Sequence, residues 1–401
     1  MRVLTFTTLY PNEARPGHAL PVETRLRHVV ATGEVESRVV APVPWFPSRH
    51  GAFGDYALHA RTPREEVRHG IRVLHPRYPL LPKIGMTAAP FMLAQAMKPV
   101  FARLLKERPF DLIDAHYFYP DGVAAVMLGR HFDKPVVITA RGTDLNLIAQ
   151  YRVPRLMIQW AAAHAAGLVT VCSALKDRLV SLGVPAGRIK VLRNGVDLER
   201  FRPVDRPSLR QRLGFTGITL LSVGNLLPLK GHDIAIRALT LLPQCNLVIA
   251  GHGPEYMALA DLARELGVAH RVTFAGGLSQ DDLRQYYGAA DALVLASSRE
   301  GWPNVLLESL ACGTPVVSRK VGGTPEVITS PAAGILFDER TPEALASAVT
   351  RLIEQGLDRA EVRRYAEQYS WDATTEGQLE LFSRVLAEPR VQPELRIVAG
   401  A

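Results

Sequence analysis

The chain has 401 residues, 47% of them hydrophobic and 21% charged, a composition typical of globular proteins and a length that predicts two or three domains. No apolar run reaches the ~20 residues of a membrane-spanning helix, and the N-terminal residues resemble a first strand rather than a signal peptide. The net charge is +8, but no basic run interleaved with aromatic residues supports nucleic acid, so we expect an anionic substrate.

Apolar runs of strand length alternate with helical patterns along almost the whole chain, which predicts parallel sheets with crossover helices. The predicted strands are 3–6, 37–41, 71–74, 112–115, 136–139, 168–171, 189–192, 218–223, 246–249, 272–274, 293–295 and 316–318. A polar segment at 201–207 has neither helical nor strand periodicity, and it separates the two halves of the chain. The simplest architecture is α/β, with two doubly wound Rossmann-like domains, 1–202 and 203–370, facing each other across a cleft.

Two helical segments carry further expectations. Residues 86–108 form a basic amphipathic pattern, which suits either a lipid surface or a core-facing helix with a solvated basic edge. Residues 371–388 form the last periodic helix, which lies beyond the second domain's own elements and is expected to pack back onto the first. The tail after residue 389 is predicted to be disordered.

Two glutamates stand close to the end of one predicted strand. Glu300 follows the 293–295 strand, and Glu308 comes about two turns into the helix that Pro303 and Asn304 open. Ligands of open α/β sheets bind beyond the carboxyl ends of the strands, where carboxylates accept hydrogen bonds from hydroxyl groups and helix N-termini attract anions. This pattern favours a nucleotide sugar, although a solvated loop acid and an exposed helical acid would have the same spacing.

Three glycine turns follow other strands of the same half. The first carries Gly224, Asn225 and Lys230 between a strand and a helix, which suits an anion site whose cation is Lys230. The other two carry Gly251 with Gly253 and Gly322 with Gly323. Such turns let backbone N–H groups approach a ligand, but each is also compatible with an ordinary loop.

Metal-ligand patterns are missing from the sequence. The cysteines Cys172, Cys245 and Cys312 are scattered, which indicates neither a disulfide framework nor a zinc site and fits a reducing cytoplasm. No Asp-x-Asp pair occurs in the chain. We therefore predict no metal site.

The second half resembles the C-terminal domain of retaining family-4 glycosyltransferases, the group 1 enzymes of the GT-B fold. The resemblance is carried by Val223-Gly-Asn-Leu-x4-Gly231, Ala250-Gly-His-Gly-Pro254, Phe274-x-Gly276, Ser298-x-Glu-Gly-Trp-Pro-x4-Glu308, Ala311-Cys-Gly-Thr-Pro-Val-Val317 and Gly322-Gly-x-Pro-Glu326. The first half is similar more loosely, through Asp114-Ala-His116, Thr139-Ala-Arg-Gly-Thr-Asp144 and Arg193-Asn-Gly-Val-Asp197.

The resemblance implies roles for individual residues. His116, Glu300 and Lys230 would be catalytic: His116 near the reacting centre, Glu300 on hydroxyls of the transferred sugar, and Lys230 on the diphosphate. Glu308 would accept hydrogen bonds from the ribose, and Gly17 would admit the phosphates from the first domain. The implied donor-binding set is Gly17, Gly224, Asn225, Lys230, Gly251, Gly253, Arg299, Glu300, Gly301, Asn304, Val305, Glu308, Gly322 and Gly323.

Two residues depart from the family pattern. Asn225 stands where the family often has an arginine, so one diphosphate cation is missing unless Arg299, Arg319 or Lys320 replaces it. Arg141 stands where histidine is common in the His-Gly-x-Asp turn.

The activity implied is that of a metal-independent, retaining hexosyltransferase that uses no cofactor besides its nucleoside-diphosphate-sugar donor. Front-face substitution is the expected route. The hydroxyl acceptor would be a glycan or a lipid-linked glycan of polysaccharide or glycolipid biosynthesis, in the cytoplasm at the inner face of the membrane. A nucleotide-sugar epimerase of the same architecture and a catalytically silent nucleotide-sugar-binding homologue are the alternatives.

Overall fold

The computed structural model describes residues 1–80 and 85–388; the predicted disordered tail lies outside them. The chain divides into two compact units. Unit 1 comprises residues 1–171, 175–192 and 373–388, and unit 2 comprises residues 172–174 and 193–372.

Unit 1 is built on a largely parallel sheet. Its strands are β1 (Arg2–Phe6), β2 (Glu36–Val40), β3 (Val43–Pro44), β4 (Glu65–Arg68), β5 (Ile71–Leu74), β6 (Arg77–Tyr78), β7 (Leu112–His116), β8 (Val136–Ala140), β9 (Gly167–Thr170) and β10 (Ile189–Val191). Eight of them form one sheet in the order β10-β9-β8-β7-β1-β2-β5-β4, in which β4 alone is antiparallel. Strands β3 and β6 pair separately. The strand order changes direction between β1 and β7, which is where a doubly wound sheet opens a crevice for ligands.

Unit 2 is built on a parallel six-stranded sheet. Its strands are β11 (Ile218–Val223), β12 (Cys245–Ala250), β13 (Val272–Gly276), β14 (Ala292–Leu295), β15 (Val316–Arg319) and β16 (Gly334–Phe337). Their order, β13-β12-β11-β14-β15-β16, is that of a Rossmann sheet with its switch point between β11 and β14. All twelve predicted strands are confirmed, whereas β3, β4, β6 and β16 were not predicted.

Helices cross over between the strands. Within the described residues they are α1 (Leu20–Ala31), α2 (Asp55–Arg61), α3 (Gly85–Glu107), α4 (Val123–His131), α5 (Thr143–Asn146), α6 (Arg152–His164), α7 (Ser173–Ser181), α8 (Arg206–Leu213), α9 (His232–Ala238), α10 (Tyr256–Glu265), α11 (Gln280–Ala289), α12 (Asn304–Ala311), α13 (Thr324–Val327), α14 (Pro342–Gln355), α15 (Arg359–Ala366) and α16 (Asp372–Ala387).

Helix α3 is the basic amphipathic segment of the sequence. Its apolar residues Leu93, Met97, Phe101 and Leu104 are buried, so the protein's own core occupies most of the face that lipid would need. Only Met86 and Phe91, near its N-terminal end, are among the large exposed hydrophobic residues. The core-facing interpretation therefore describes the body of this helix. Of the helices that the structure describes, none is both long and apolar enough to cross a membrane.

The two units divide the chain at other residues than the predicted domains, since unit 2 contains residues 172–174, 193–202 and 371–372 as well. Helix α16 belongs to unit 1, where Leu381 and Phe382 pack in one apolar cluster with Val3 and Leu112. The predicted boundary after residue 202 lies too late, because residues 193–202 cluster with unit 2. The physical reason is Arg363, whose guanidinium donates to the carbonyl oxygens of Phe201 and Leu198 at 2.6 and 3.1 Å.

Candidate active site

The switch point of unit 2 brings two predicted site residues together. Lys230 ends the loop after β11, and Glu300 lies in the loop after β14. Lys230 Nζ donates to Glu300 Oε1 at 2.7 Å, and Ser297 Oγ donates to the same oxygen at 2.7 Å. The ammonium and the carboxylate therefore form one compact ion pair at the carboxyl ends of the two central strands.

Close backbone contacts fix the two loops against each other. Gly231, directly after Lys230, has φ +74°, and any Cβ there would lie 2.3 Å from the carbonyl oxygen of Ala296. The Ser298 N–H donates to the Leu229 carbonyl oxygen at 2.8 Å. Glycine is required at position 231 both for its backbone conformation and for this close approach.

Arg340, which the sequence interpretation missed, connects the same two loops. Its Nε donates to the Ala296 carbonyl oxygen at 3.1 Å, and its Nη2 donates to the Pro228 carbonyl oxygen at 2.9 Å. Asp233 lies 3.7 Å from the guanidinium. Arg340 lies just before α14, where the sequence gives no sign of its role. Its hydrogen bonds to the Ala296 and Pro228 carbonyl oxygens depend on tertiary packing.

Glu308 lies in the second turn of α12, partly exposed. The buried Tyr287 hydroxyl donates to its Oε2 at 2.8 Å. Burial raises the pKa of Glu308 to about 7, while the Tyr287 hydrogen bond and Arg200 act in the opposite direction. The carboxylate is consequently costly to ionise near neutral pH unless further donors reach it.

At the start of α12, Asn304 Oδ1 accepts a hydrogen bond from Asn194 Nδ2 at 3.2 Å. Asn304 and Val305 are both partly exposed in the first turn of the helix, and Gly301 precedes them in the loop. The Asn194 side chain comes from the Asn-Gly-Val-Asp segment, so this motif of the predicted first domain contributes to unit 2.

The glycines of the β11 and β12 turns serve loop packing. A Cβ on Gly251 would lie 1.9 Å from the Gly224 carbonyl oxygen, and one on Gly253 would lie 2.4 Å from that of Leu226. The N–H groups of Gly224 and Gly251 donate to the carbonyl oxygens of Ala250 and Gly276. Their contact with a ligand stays a prediction, since their amides already have backbone acceptors.

The β15 turn supports the glutamate loop in the same way. A Cβ on Gly322, whose φ is +54°, would lie 2.1 Å from the Glu300 carbonyl oxygen. The Gly323 N–H donates to the Gly301 carbonyl oxygen at 3.0 Å. These two glycines thus determine where the Glu300 backbone lies.

Asn225 stands where the family often has an arginine, and Arg299, Arg319 and Lys320 were the predicted replacements for that cation. Asn225 is exposed. Arg319 Nη1 donates to the carbonyl oxygens of Ser297 and Ser298 at 3.4 and 3.2 Å, so Arg319 supports the glutamate loop. Lys320 faces Asp338 at 3.9 Å. Arg299 precedes Glu300 in the same loop, and its role as the replacing cation stays a prediction.

In unit 1, His116 ends β7 in a buried polar cluster. Its Nε2 lies 3.1 Å from Asp114 Oδ2, and its Nδ1 lies 2.6 Å from Arg141 Nη2. Burial, with Arg141 adding to it and Asp114 opposing it, lowers the pKa of His116 to about 4. The ring is therefore neutral at pH 7, with Nε2–H donating to Asp114 and Nδ1 accepting from Arg141. A direct contact between this 1% exposed ring and a sugar stays a prediction.

Other buried groups surround Asp114. Gln378 Nε2 from α16 lies 3.4 Å from both of its carboxylate oxygens. The Arg25 guanidinium is 2% exposed and donates to the Leu192 carbonyl oxygen at 2.6 Å. Neither residue was predicted, because a buried arginine and a buried glutamine on helices look like solvated polar residues in the sequence.

Gly17 lies in the loop between β1 and α1, where it is exposed. The start of this loop is held by the buried Asp121, which accepts hydrogen bonds from the Thr8 N–H at 2.6 Å and from the hydroxyl of Thr7 at 3.2 Å. Burial raises the pKa of Asp121 to about 7. Gly17 is thus placed on the predicted loop, without a described contact to His116.

Two family models match the chain. Residues 205–369 match the model described as "Glycosyl transferases group 1", and residues 54–200 match "Glycosyltransferase Family 4". A D-inositol 3-phosphate glycosyltransferase of Acidothermus cellulolyticus is 36% identical over 319 residues, which cover 72% of this chain and 70% of the relative. The chain belongs to the family-4, group 1 glycosyltransferases. A second D-inositol 3-phosphate glycosyltransferase, of Mycolicibacterium gilvum, is 37% identical, but the match spans 56% of this glycosyltransferase and 53% of the relative.

Solved structures agree with the family. Sucrose-phosphate synthase from Thermosynechococcus elongatus matches with a TM-score of 0.80 at 20% identity, covering 96% of this chain and 100% of that one. Anabaena Alr3699/HepE in complex with UDP-glucose matches with a TM-score of 0.72 at 20% identity and the same coverage. At such identities the likeness establishes the fold, which is GT-B with two Rossmann-like domains.

Proposed function

We propose that this glycosyltransferase moves a hexosyl group, with retention of anomeric configuration, from a nucleoside-diphosphate sugar to a hydroxyl acceptor. The observation that carries the proposal is the Lys230–Glu300 ion pair at the switch point of unit 2, which offers a cation for phosphate beside an acceptor for hydroxyls. A fold match to a protein in complex with UDP-glucose supports a donor of this class.

Each donor part has a proposed partner. Lys230 and Arg299 neutralise the diphosphate. Glu300 accepts hydrogen bonds from hydroxyl groups of the transferred sugar, and Glu308 accepts hydrogen bonds from those of the ribose. Hydroxyl donors next to Glu308 would stabilise its ionised form, which burial otherwise disfavours. Asn304 and Val305 then line the ribose side at the start of α12, where the helix N-terminus adds favourable charge for the phosphates.

The proposed chemical step is front-face substitution. The bond from the anomeric carbon to the β-phosphate oxygen breaks, and a bond from the acceptor oxygen to the same carbon forms on the same face. The acceptor's hydroxyl proton passes to the departing phosphate oxygen. Lys230 stabilises the charge that develops on that phosphate. The family resemblance assigns a role near the reacting centre to His116, whose neutral ring is held by Asp114 and Arg141.

We propose that the reaction needs no metal ion. The sequence has no Asp-x-Asp pair, and the described residues contain no cluster of three or more His, Cys, Asp or Glu side chains that could hold one. Lys230, Arg299 and backbone N–H groups would supply the countercharge instead.

For the acceptor, we propose a glycan or lipid-linked glycan of polysaccharide or glycolipid biosynthesis. The relatives' names favour a second candidate, a small phosphorylated cyclitol such as D-inositol 3-phosphate. The three cysteines all lie in the described residues and form no disulfide, which supports a reducing, cytoplasmic location.

Product analysis tests the proposal. The protein is incubated with a panel of labelled nucleotide sugars, with EDTA, and with oligosaccharides, lipid-linked glycans or inositol phosphates in separate reactions. Transfer with retained configuration to one acceptor class supports the proposal and identifies the acceptor. Isomerised donor without any acceptor would indicate the epimerase, and donor binding without any product would indicate a silent homologue.

A further inference from the structure

Unit 1 exposes a group of aromatic side chains beside its small β3–β6 sheet. Trp45, Phe53 and Tyr56 are 62%, 50% and 59% exposed. Trp45 directly follows β3, and its N–H donates to the Tyr78 carbonyl oxygen at 2.8 Å, so its backbone is fixed. The half-buried Phe46 ring packs against the rings of Phe53 and Tyr56 at 5.4 and 5.3 Å. Phe53 and Tyr56 are thus held together through Phe46, and Trp45 is the residue next to Phe46 in the chain. Several large aromatic residues exposed in one segment mark an interaction surface.

Arginines lie among these rings. Arg49, Arg61 and Arg64 are exposed, and Arg61 Nε donates to the Arg49 carbonyl oxygen at 3.0 Å. Arg77, on β6, donates to the His75 carbonyl oxygen at 2.9 Å. Burial and the neighbouring Arg64 and Arg49 lower its pKa, so these three guanidinium groups lie close enough to interact.

Two nearby acids pair with residues outside this group. Glu65 pairs with Arg72, and Glu66 pairs with His75 at 2.7 Å. Among the described side chains, no carboxylate forms an ion pair with Arg49, Arg61 or Arg64. The surface therefore combines exposed aromatic rings with three arginines for which the described side chains provide no ion pair.

We propose that this arginine–aromatic patch, formed by Trp45, Arg49, Phe53, Tyr56, Arg61 and Arg64, docks the glycosyltransferase on an anionic lipid bilayer. Tryptophan and tyrosine favour the boundary between headgroups and acyl chains, and arginines at that depth are attracted to anionic headgroups. Nucleic acid would require basic residues along an extended stripe, whereas these arginines belong to the same short segment, 45–64, as the aromatic residues. The proposed membrane contact thus differs from the one that the sequence suggested for residues 86–108, because the apolar face of α3 is in the core.

Flotation with vesicles of phosphatidylcholine, with and without phosphatidylglycerol, tests the proposal on the full chain. The wild type should float with the phosphatidylglycerol vesicles and lose this binding at high salt. Arg49→Glu/Arg64→Glu should lower the apparent vesicle affinity by about tenfold or more. Trp45→Ser/Tyr56→Ser should lower it by a similar factor through lost interfacial burial.

Matched controls lie in unit 2. Arg264→Glu/Arg364→Glu changes the net charge from +8 to +4, as the patch variant does, at arginines that are 65% and 64% exposed. Tyr256→Ser/Met257→Ser removes two apolar side chains that are 48% and 63% exposed. Both controls should float like the wild type. Unchanged melting temperature and unchanged stabilisation by nucleotide sugar show that the patch variants are folded.

Several results would overturn the proposal. They are no flotation of the wild type, equal flotation with neutral vesicles, or equal loss in the patch and control variants. Flotation that requires a lipid-linked acceptor in neutral vesicles would assign the patch to the acceptor instead. Concentration-dependent self-association that only the patch variants lose, without flotation, would assign it to a second copy of the chain. None of these outcomes depends on whether the donor site is correct.

Discussion

Lys230 and Glu300 are 70 positions apart in sequence, yet Lys230 Nζ donates to Glu300 Oε1 at 2.7 Å. Their side chains are 23% and 10% exposed, so the pair is accessible without being fully solvated. A diphosphate has more negative charge than one carboxylate and would compete for the ammonium group. We therefore expect donor binding to draw Lys230 toward phosphate and to leave Glu300 for sugar hydroxyls.

Removing the Lys230 ammonium group should weaken donor binding. Lys230→Ala loses charge-assisted hydrogen bonds of about 1.5–3 kcal/mol, which corresponds to roughly a 10- to 100-fold higher Kd for the nucleotide sugar. Isothermal titration calorimetry measures this Kd directly. Lys106→Ala, at an exposed lysine of α3, is the control and should bind as the wild type does; equal Kd values for both variants would remove Lys230 from the site.

Donor affinity should depend on pH through Glu308. Its pKa of about 7 in the free protein means that ribose hydroxyls meet a protonated carboxyl group below pH 7 and a carboxylate above it. Affinity for a nucleotide sugar should therefore rise about tenfold between about pH 6 and about pH 8 and then level off. Titrations of Glu308→Gln should be weaker at high pH and flat over this range. A wild-type affinity that falls as pH rises would contradict the assignment.

The same carboxyl group should affect stability in the opposite direction. Its folded pKa of about 7 exceeds its ordinary value of 4.5, so between these values the folded protein binds a proton that the unfolded chain does not. The contribution of Glu308 to stability is therefore present below about pH 4.5 and is lost as pH rises to about 7. Relative to wild type, Glu308→Gln should gain several degrees in Tm between about pH 5 and about pH 8. A difference in Tm that stays constant with pH would exclude the raised pKa.

His116 should matter for turnover and not for donor affinity. His116→Asn should lower kcat on the order of 100-fold, because the group proposed to act near the reacting centre is lost or displaced, while the donor Kd changes little. Since burial lowers the pKa of His116 to about 4, the wild-type rate should show no inflection from this residue between about pH 6 and about pH 8. His131→Asn, at an exposed histidine of α4, is the control. A donor Kd that rises as much as kcat falls would show that the change disturbs binding.

Arg340 should support the donor site without touching the donor. Arg340→Ala removes the hydrogen bonds to the Ala296 and Pro228 carbonyl oxygens, so the two loops lose a connection and the donor Kd should rise about 3- to 10-fold. Arg351→Ala, at an exposed arginine of α14, provides a matched loss of charge. Calorimetry on both variants separates the loss of the loop connection from the loss of one positive charge. An unchanged Kd in Arg340→Ala would show that the two loops keep their arrangement without Arg340.

The fold could be predicted wherever strands are apolar. Strands such as β11 and β14 are buried on both faces, so they have continuous apolar runs in the sequence. Strand β4 was missed because it is a polar edge strand with the sequence Glu-Glu-Val-Arg. Strand β16 was missed because it starts with Gly334, which resembles a turn, although a Cβ there would lie 1.9 Å from the Val316 carbonyl oxygen.

The candidate site could be predicted only in part. Glu300 and Lys230 lie in the loops that follow two strands, so the carboxyl-edge rule predicts their position without a structure. Arg340 and Gln378 act through contacts with distant backbone or side-chain atoms, and local sequence carries no trace of such contacts. The buried pair of His116 and Arg141 likewise depends on the register of β7 against β8, where His116 lies opposite Thr139.

The most direct test of the central claim is thermal stabilisation by a panel of nucleoside diphosphates and their sugars, with EDTA present. The wild type should gain stability with one nucleotide family, since a ligand that binds only the folded protein raises the melting temperature. The double variant Lys230→Ala/Glu308→Ala should lose this shift, whereas Lys106→Ala should keep it. No shift with any nucleotide, or an equal shift in the double variant, would contradict a donor site at the switch point of unit 2.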